Sequence, residues 1–426
     1  MAPTEVSIRF FLALALIVAT CRLAGSLFKW VGQPQVVSEM IAGVLLGPSL
    51  LGWLAPGVSA YLFPPELRAV LYVMCQLGLA IYMFLIGLEF DIELVRSRAR
   101  SAVTVSLAGI VAPFALGGAL AVFICDNTLL FGGGVTLLEA SLFTGASMSI
   151  TAFPMLARII HEERLASTPL GTLALTAGSV DDAAAWCVLA VVLASFTGEA
   201  SVAVLAIAGA ALYALLTLTL GRRVLRLLAA NVERQGHMTD GVLACVMGVV
   251  LLGAWFTDFV GVYAVFGAFI VGVAMPRGKL QSELQVRLGP LTTQLLLPTF
   301  FVYSGLNTRI GLLESPWLWM TAGLCLFVAS LGKAGACYAA ARLVGEPPRE
   351  ALGVCMLMNA RGLMELIILN IGLERGVIRP AFFTVMVTMA IGTTVAATPL
   401  FRRFYLRRAT IQQAAAVFSH VRNTMV

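Results

Sequence analysis

Two adjacent carboxylates, Asp181 and Asp182, lie inside an apolar run that extends from Leu170 to Phe196. A run of this length predicts a helix that crosses a lipid bilayer. A charged side chain at bilayer depth costs roughly 3 kcal/mol or more, so acidic residues there usually bind an ion or a proton. The pair therefore predicts a transport site for a monovalent cation and a proton.

The chemistry of buried carboxylates supports this prediction. Burial disfavours the charged form of a carboxyl group and a nearby cation favours it, so such a group can exchange a proton for a cation. Adjacent helical residues point about 100° apart, so the two aspartates face different neighbours. The alternative is purely structural: ion pairs of Asp181 with Lys333, or of Asp182 with Arg361, would only tie helices together. Further oxygen ligands can come from hydroxyl-bearing residues of an earlier span, namely Thr144, Ser147, Ser149 and Thr151.

Other charged residues within apolar runs include Lys333, Arg361, Glu365 and Glu39. Lys333 lies in the middle of one run, and we expect it to pair with an aspartate or to carry a proton itself. Arg361 and Glu365 are four residues apart on one helix face, which predicts that they pair and stabilise an interrupted helix. Glu39 lies near the end of its run, and we interpret it as structural.

Composition defines the class of protein. The 426 residues are 60% hydrophobic and 12% charged, with a mean hydropathy of +0.94. Soluble domains are about 25% charged, so the fold class is an all-α polytopic membrane protein.

We attribute the net charge of +6 to cytoplasmic loops rather than to nucleic-acid binding. Scattered cysteines, and three histidines in loops or the tail, predict neither disulfides nor a metal centre, and no cofactor is expected.

Thirteen spans are predicted, and basic residues flank them unevenly. One set of alternate loops holds 20 Lys and Arg residues and the other set holds 5. The positive-inside rule then places the N-terminus outside and the C-terminus, with the short tail 402–426, in the cytoplasm. Abundant arginine and alanine are typical of a GC-rich bacterial genome, and the expected location is the cell membrane, either inner or plasma. The spans are 7–27, 34–54, 67–88, 102–125, 136–159, 168–196, 201–221, 238–257, 261–275, 288–305, 316–342, 349–373 and 380–401.

Two predicted spans carry helix-breaking residues. Pro154 interrupts span five, because proline removes a backbone hydrogen bond, and Asn359, Arg361 and Gly362 interrupt span twelve. These spans are seven apart, which predicts two inverted six-helix repeats, spans 1–6 and 8–13, joined by span 7. Paired broken helices in inverted repeats indicate a substrate site near the bilayer midplane. The alternative is a simple proline kink and an unrelated polar patch.

Several stretches carry a family resemblance. In chain order they are QPQVVSEMIAGVLLGPSLLG, GLAIYMFLIGLEFD, SITAFPMLARI, SVDDAAAWCVLA, Lys333 after a glycine, and MNARGLMELIILNIGL. The chain resembles the monovalent cation:proton antiporter-2 family, which holds bacterial Kef-type and sodium/proton antiporters and plant cation/proton exchangers. The resemblance implies that Asp182 is the essential ion-binding aspartate. Asp181 matches a position that is Asp in electrogenic members and Asn in many plant exchangers, and Lys333 matches a lysine that can pair with it.

The resemblance also implies a homodimer whose protomers have two parts. The core part is expected to move as a rigid body and carry the ion, as in an elevator. The expected bounds are 7–88 and 238–305 for the dimer part, 102–196 and 316–401 for the core part, and 201–221 for a linker helix.

The sequence is compatible with three functions and disfavours a fourth. The leading hypothesis is an antiporter that exchanges Na⁺, or alternatively K⁺, for H⁺. A ligand-gated K⁺ efflux system on the same fold would need a separate soluble subunit, because too few residues follow the last span for a soluble domain. Export of a small organic molecule is a third hypothesis. An intramembrane aspartyl protease is disfavoured, because its carboxylates must face each other and these two are neighbours on one helix.

Overall fold

A computed structural model describes residues 2–406, except 31, 32, 34, 91, 166, 167, 198, 199, 262 and 263. Most of these residues are helical, which confirms the all-α prediction. The β contact found among them is an isolated bridge between Phe131 and Ile378. The part of the predicted tail from residue 407 onward lies outside the described residues.

Nineteen α-helices are described, and they cover all thirteen predicted spans. The first nine are α1 Pro3–Lys29, α2 Gln35–Leu46, α3 Leu51–Leu54, α4 Pro56–Leu62, α5 Pro65–Glu89, α6 Ile92–Ile124, α7 Leu137–Ser149, α8 Phe153–Glu162 and α9 Pro169–Thr197. The next ten are α10 Ala200–Leu216, α11 Arg222–Gln235, α12 Asp240–Phe259, α13 Ala264–Ala274, α14 Lys279–Leu291, α15 Leu297–Leu306, α16 Pro316–Leu343, α17 Pro348–Leu357, α18 Leu363–Glu374 and α19 Pro380–Phe401. Short π-helical turns occupy Thr217–Gly221, Thr292–Leu296 and Arg402–Leu406, and Ile310–Leu312 is a 3₁₀ turn.

Eight helical segments among the described residues are long and apolar enough to cross a bilayer. They are Pro3–Lys29, Gln35–Leu54, Pro65–Glu89, Ala99–Ile124, Ala208–Gln235, Asp240–Phe259, Pro316–Leu343 and Pro380–Tyr405. Two of the remaining predicted spans are divided in two, since α7 with α8 and α17 with α18 each form a broken pair. The prediction of interrupted helices at these two places is confirmed.

Residues 222–237, which include Arg222, Arg223 and Arg226, lie between the seventh and eighth predicted spans, and the prediction that this segment is a loop is wrong. The three arginines lie in the first turns of α11, which follows α10 and the π-helical turn without a break and ends at Gln235, with Gly236 as its C-cap. The sequence RRVLRLLAANVERQ contains good helix formers and no proline, so its charge does not prevent a helix. Gly236 has a φ of 75°, the left-handed conformation in which glycine commonly ends helices.

The chain divides into two compact units. Unit 1 comprises the described residues within 1–26, 38–93 and 183–312, and unit 2 those within 27–37, 94–182 and from 313 onward. The predicted linker segment 201–221 groups with unit 1, as do residues 183–196, which we had placed in the core part. The roles assigned to the two parts stay predictions.

In unit 2, small residues let α6 approach α7 closely. A Cβ atom built at Gly145 would lie 2.6 Å from the carbonyl oxygen of Phe114, and one built at Gly117 would lie 3.0 Å from the carbonyl oxygen of Thr144. Glycine at both positions therefore allows backbone-to-backbone packing, as is common between membrane helices. A capping box of Thr136 and Glu139 fixes the start of α7. These contacts set the position of the carbonyl end of α7, where the charged residues gather.

Candidate ion-binding site

The breaks of the two interrupted helices contact each other. The backbone N–H of Ala152, just before α8, donates to the carbonyl oxygen of Ala360 at 3.1 Å. The hydroxyl of Thr151 donates to the carbonyl oxygen of Met358 at 3.0 Å. Each break thus satisfies backbone groups that the other leaves open, which irregular backbone at membrane depth requires. The break precedes Pro154, the second residue of α8, where a missing N–H is tolerated.

Side chains satisfy the carbonyl end of α7. The last four carbonyl groups of a helix have no partner within it, and this end carries a partial negative charge. Arg361 donates to the carbonyl oxygens of Ser147, Met148 and Ile150, and the ammonium of Lys333 donates to that of Ser149. The Ser149 hydroxyl donates to the carbonyl of Ala146 at 2.9 Å. Two buried cations therefore neutralise the negative end of one half-helix.

Asp181 lies between a cation and a helix start. Its Oδ2 atom accepts a hydrogen bond from Lys333 Nζ at 3.0 Å and another from the backbone N–H of Thr151 at 2.7 Å. Thr151 lies two residues before the first residue of α8, Phe153, close to the end of the helix where its dipole is positive. The side chain of Asp181 is 0% exposed and that of Lys333 is 1% exposed. The negative charge of Asp181 is thus compensated from two directions.

Arg361 is held mainly through its backbone and by carbonyl groups. Its N–H donates to the hydroxyl oxygen of Thr394 at 3.0 Å, and that hydroxyl lies 2.8 Å from the carbonyl oxygen of Arg361. Glu365 is the nearest acid, with its Oε2 atom 3.9 Å from the guanidinium. Neither carboxylate oxygen of Glu365 accepts a hydrogen bond within the described part of the chain. Arg361 is therefore primarily a cap for α7, with Glu365 as a more distant counter-charge.

Asp182 differs from the other buried charged residues. It is 2% exposed, and its Oδ1 atom accepts no hydrogen bond from the residues that the structure describes. Among those residues it also forms no ion pair, whereas Asp181 pairs with Lys333 and Glu365 faces Arg361. The described part of unit 2 thus buries three acids and two bases, and Asp182 is the acid without a base. Burying an uncompensated charge is costly, so this position favours binding of one positive charge.

The structure distributes the other predicted residues more widely. Ser147 and Thr144 are buried on α7, and the Ser147 hydroxyl donates to the Thr144 carbonyl at 3.0 Å. Thr144 Oγ1 has no hydrogen-bond partner among the described residues. All of these hydroxyl oxygens keep lone pairs, so their use as cation ligands stays a prediction. Glu39 is buried on α2 and belongs to unit 1, whereas the aspartates belong to unit 2.

Sequence reasoning missed Thr394 and the carbonyl groups that Arg361 and Lys333 bind. Thr394 is one of two adjacent threonines in the apolar sequence TMAIGTTVAA, a weak signal, since single hydroxyl residues commonly bond to their own helix. The carbonyl groups carry no sequence signal at all. Only the contact between the two breaks shows that both cations meet the same helix end.

Comparisons with known proteins identify the family. The family model "Sodium/hydrogen exchanger, transmembrane" matches residues 13–404. The Na(+)/H(+) antiporter NhaS4 of Synechocystis sp. is 41% identical over 391 residues, which cover 91% of this chain and 95% of that protein. Cation/H(+) antiporter 17 of Arabidopsis thaliana is 34% identical over 92% of this chain, and the chain spans 48% of its length.

A solved structure shows the same fold. The sodium proton antiporter MjNhaP1 of Methanocaldococcus jannaschii, at pH 8, matches with a TM-score of 0.62 over 93% of this chain and 96% of that chain. The sequence identity is 14%, so this likeness concerns the fold alone. The family match, in contrast, covers nearly the whole helical region. The chain therefore belongs to the sodium/hydrogen exchanger family of membrane cation:proton antiporters.

Proposed function

We propose that this protein exchanges Na⁺ for H⁺ and that Asp182 is the residue for which the two ions compete. The supporting observation is the charge arrangement of unit 2, in which Asp182 is the buried acid without a base among the described residues. One bound proton or one bound monovalent cation would neutralise it. Because both cannot occupy the carboxylate at full affinity, loading one ion releases the other, which is the requirement for antiport.

The choice of Na⁺ over K⁺ rests on similarity alone, because the 41% identical relative is named a Na⁺/H⁺ antiporter. The ligand chemistry supports an alkali cation of either kind, since carboxylate and carbonyl oxygens are hard ligands. K⁺:H⁺ exchange with a separate gating subunit, and export of a small organic molecule, are the alternatives. They differ in which solute drives proton flux.

We further propose that unit 2 carries the ion across the membrane as a rigid body. The support is that Asp181, Asp182, Lys333 and Arg361 all lie in this unit, with the two broken helices. Their hydrogen bonds link both breaks to one another, so the site can move without being taken apart. The homodimer and the bacterial inner membrane stay predictions from the sequence.

Proton flux into vesicles tests the proposed function. The purified protein is reconstituted with a trapped pH dye, and Na⁺, K⁺, Li⁺ or choline is added in turn. We expect rapid proton movement with Na⁺, weaker movement with K⁺ and none with choline. Equal flux for K⁺ and Na⁺ would favour the K⁺ alternative, and no cation-dependent flux with any ion would refute cation:proton exchange by this protein.

A topological prediction follows from the uneven basic residues. The N-terminus is expected outside, and the loop between α11 and α12 in the cytoplasm. Single cysteines at Thr4 and Gln235, in a background without other reactive cysteines, are treated with an impermeant maleimide in intact cells. Labelling at Thr4 alone is expected, and labelling at Gln235 alone would reverse the orientation.

A second prediction concerns the ion pair of Asp181 and Lys333, in which Oδ2 of the aspartate lies 3.0 Å from Nζ of the lysine. If both aspartates bind protons in the cycle, two protons move per monovalent cation and the exchange carries current. The double variant Asp181→Asn with Lys333→Gln removes both partners and leaves no orphaned charge. We expect it to exchange ions one for one without current on a solid-supported membrane. Robust exchange by the wild type without any current would contradict the electrogenic scheme.

A further inference from the structure

The π-helical turn Arg402–Leu406, which we call the 402–406 turn, links parts of unit 2 that lie far apart in the sequence. Nε and Nη2 of Arg402 both lie 2.6 Å from Oε1 of Glu163, the residue directly after α8. The Glu163 side chain is 11% exposed and lies at the negative end of the α8 dipole, where an unpaired acid is unfavourable. Arg402 therefore supplies the positive charge that this helix end needs.

The same turn contacts the first turn of α17. The Tyr405 hydroxyl donates to Oε1 of Glu350 at 3.1 Å, and the Arg349 guanidinium donates to the carbonyl oxygen of Tyr405 at 3.4 Å. That guanidinium also lies 4.7 Å from the centroid of the Tyr405 ring. A Cβ atom built at Gly353 of α17 would lie 3.0 Å from the same ring, so the turn packs directly against this helix.

The 402–406 turn thereby joins the far ends of two half-helices whose near ends already meet. α8 starts at its break and ends beside Glu163, whereas α17 starts with the residues that contact Tyr405 and ends at its break. At the breaks, the N–H of Ala152 donates to the carbonyl oxygen of Ala360. Each half-helix has 10 residues and is about 15 Å long. The two are therefore linked at both ends, directly at the breaks and through the turn at the other end.

One residue connects this arrangement to the ion site. The N–H of Thr151 donates to Oδ2 of Asp181 at 2.7 Å, and its hydroxyl donates to the carbonyl oxygen of Met358, directly after α17, at 3.0 Å. Because Thr151 is bound from both directions, a tilt of α8 relative to α17 shifts its N–H relative to Asp181. The angle between the half-helices, which the turn helps to fix, thus bears on the geometry beside Asp182.

We propose that Arg402 and Tyr405 are positioning residues for the ion site: by joining the far ends of α8 and α17, they hold it in the arrangement that binds the cation. The inference rests on the proposed function, because the cation in question is the one exchanged at Asp182. Supporting residues matter at this scale, since a binding site that is roughly 1 Å too loose loses function. Neither residue touches the ion, so their loss should weaken cation binding and leave the exchange step itself intact.

A purely structural role makes a different prediction. If the 402–406 turn only stabilises its surroundings, breaking its contacts lowers the Tm without changing how flux depends on Na⁺. If it positions the site, the Na⁺ concentration that gives half-maximal proton flux rises, and the maximal rate at saturating Na⁺ is unchanged. The two roles are therefore distinguished by the Na⁺ dependence of transport rather than by stability.

Na⁺-dependent proton flux in vesicles measures this dependence. In Arg402→Gln we expect the half-maximal Na⁺ concentration to rise about fivefold, a typical size for coupling between separate positions. The charge-swapped variant Arg402→Glu/Glu163→Arg re-forms the ion pair and should return this concentration toward the wild-type value. Arg403→Gln removes an exposed neighbouring arginine and is the matched control, for which we expect no change.

A second pair of variants tests the contact with α17. Tyr405→Phe retains the ring and loses only the hydrogen bond to Glu350, so we expect the half-maximal Na⁺ concentration to rise in the same direction. Tyr338→Phe removes a hydroxyl from an exposed tyrosine of α16 in the same unit and should behave as the wild type.

Hydrogen–deuterium exchange tests the linkage without relying on transport. In detergent-solubilised Arg402→Gln we expect faster deuterium uptake near Glu163 and also in the peptide that contains Thr151 and Ala152 at the break. Faster uptake near Glu163 alone would show that the turn acts only on its surroundings, and would overturn the proposal. The control Arg403→Gln should match the wild type at both places.

The transport results can overturn it as well. An unchanged half-maximal Na⁺ concentration in Arg402→Gln, no recovery in the charge-swapped variant, or an equal change in Arg403→Gln would each contradict the positioning role. Absence of cation-dependent flux in the wild type would instead refute the proposed exchange, and deuterium uptake at the break would still decide whether the turn acts on the site.

Discussion

Replacing Asp182 by Asn is expected to reduce cation-driven proton flux to that of empty vesicles. The amide has the size of the carboxyl group but neither releases a proton nor carries the negative charge that holds a cation. In the structure Asp182 is 2% exposed and has no basic partner among the described residues, whereas the neighbouring Asp181 is already paired with Lys333. The flux is measured with a trapped pH dye under a Na⁺ gradient.

The same variant should remain folded, which separates lost chemistry from lost structure. Removing a charge that has no counter-ion relieves a desolvation cost, so we expect Asp182→Asn to melt at or above the wild-type Tm. Asp258→Asn, an exposed aspartate on α12 in unit 1, serves as the matched control and should exchange normally. Near-normal exchange by folded Asp182→Asn would show that another residue binds the ions.

Replacing Arg361 by Met is expected to cause the largest loss of stability. Methionine has a similar length and no donors, so the carbonyl groups of Ser147, Met148 and Ile150 lose their partner, and Glu365 loses its counter-charge. Leaving a buried charge or polar group unpaired costs about 3–5 kcal/mol. We expect a clear fall in the Tm of the detergent-solubilised protein. We also expect a smaller monodisperse peak in size-exclusion chromatography.

Two further variants locate the origin of that loss. Arg375→Met, an exposed arginine directly after α18, removes the same side chain without these contacts and should melt like the wild type. Arg361→Met with Glu365→Gln removes the orphaned carboxylate and should recover part of the stability. If the double variant recovered all of it, the ion pair with Glu365 rather than capping of α7 would be the main role of Arg361.

The sequence was most informative at residue types that are rare in membrane spans because burying them there costs free energy. Charged residues inside apolar runs are expensive, which singled out Asp181, Asp182 and Lys333, and the structure places Asp181 against Lys333. Proline and a cluster of polar residues likewise identified both broken helices. Their contact through Ala152 and Ala360 joins backbone atoms from segments about 200 residues apart, for which no side-chain pattern exists.

The sequence misled where charge was taken as a sign of a loop. Arg222, Arg223 and Arg226 continue the helix of α10, because long basic side chains are compatible with a helix and can reach the membrane surface.

Cation-induced proton release tests the central role of Asp182 most directly. The purified protein in weakly buffered detergent, with a pH dye, receives NaCl or choline chloride, so transport and membrane orientation play no part. Because Na⁺ and H⁺ compete for one carboxylate, we expect Na⁺ to release protons from the wild type and choline to release none. We expect Asp182→Asn to release no protons with either salt. Equal proton release from wild type and Asp182→Asn on addition of Na⁺ would contradict the account.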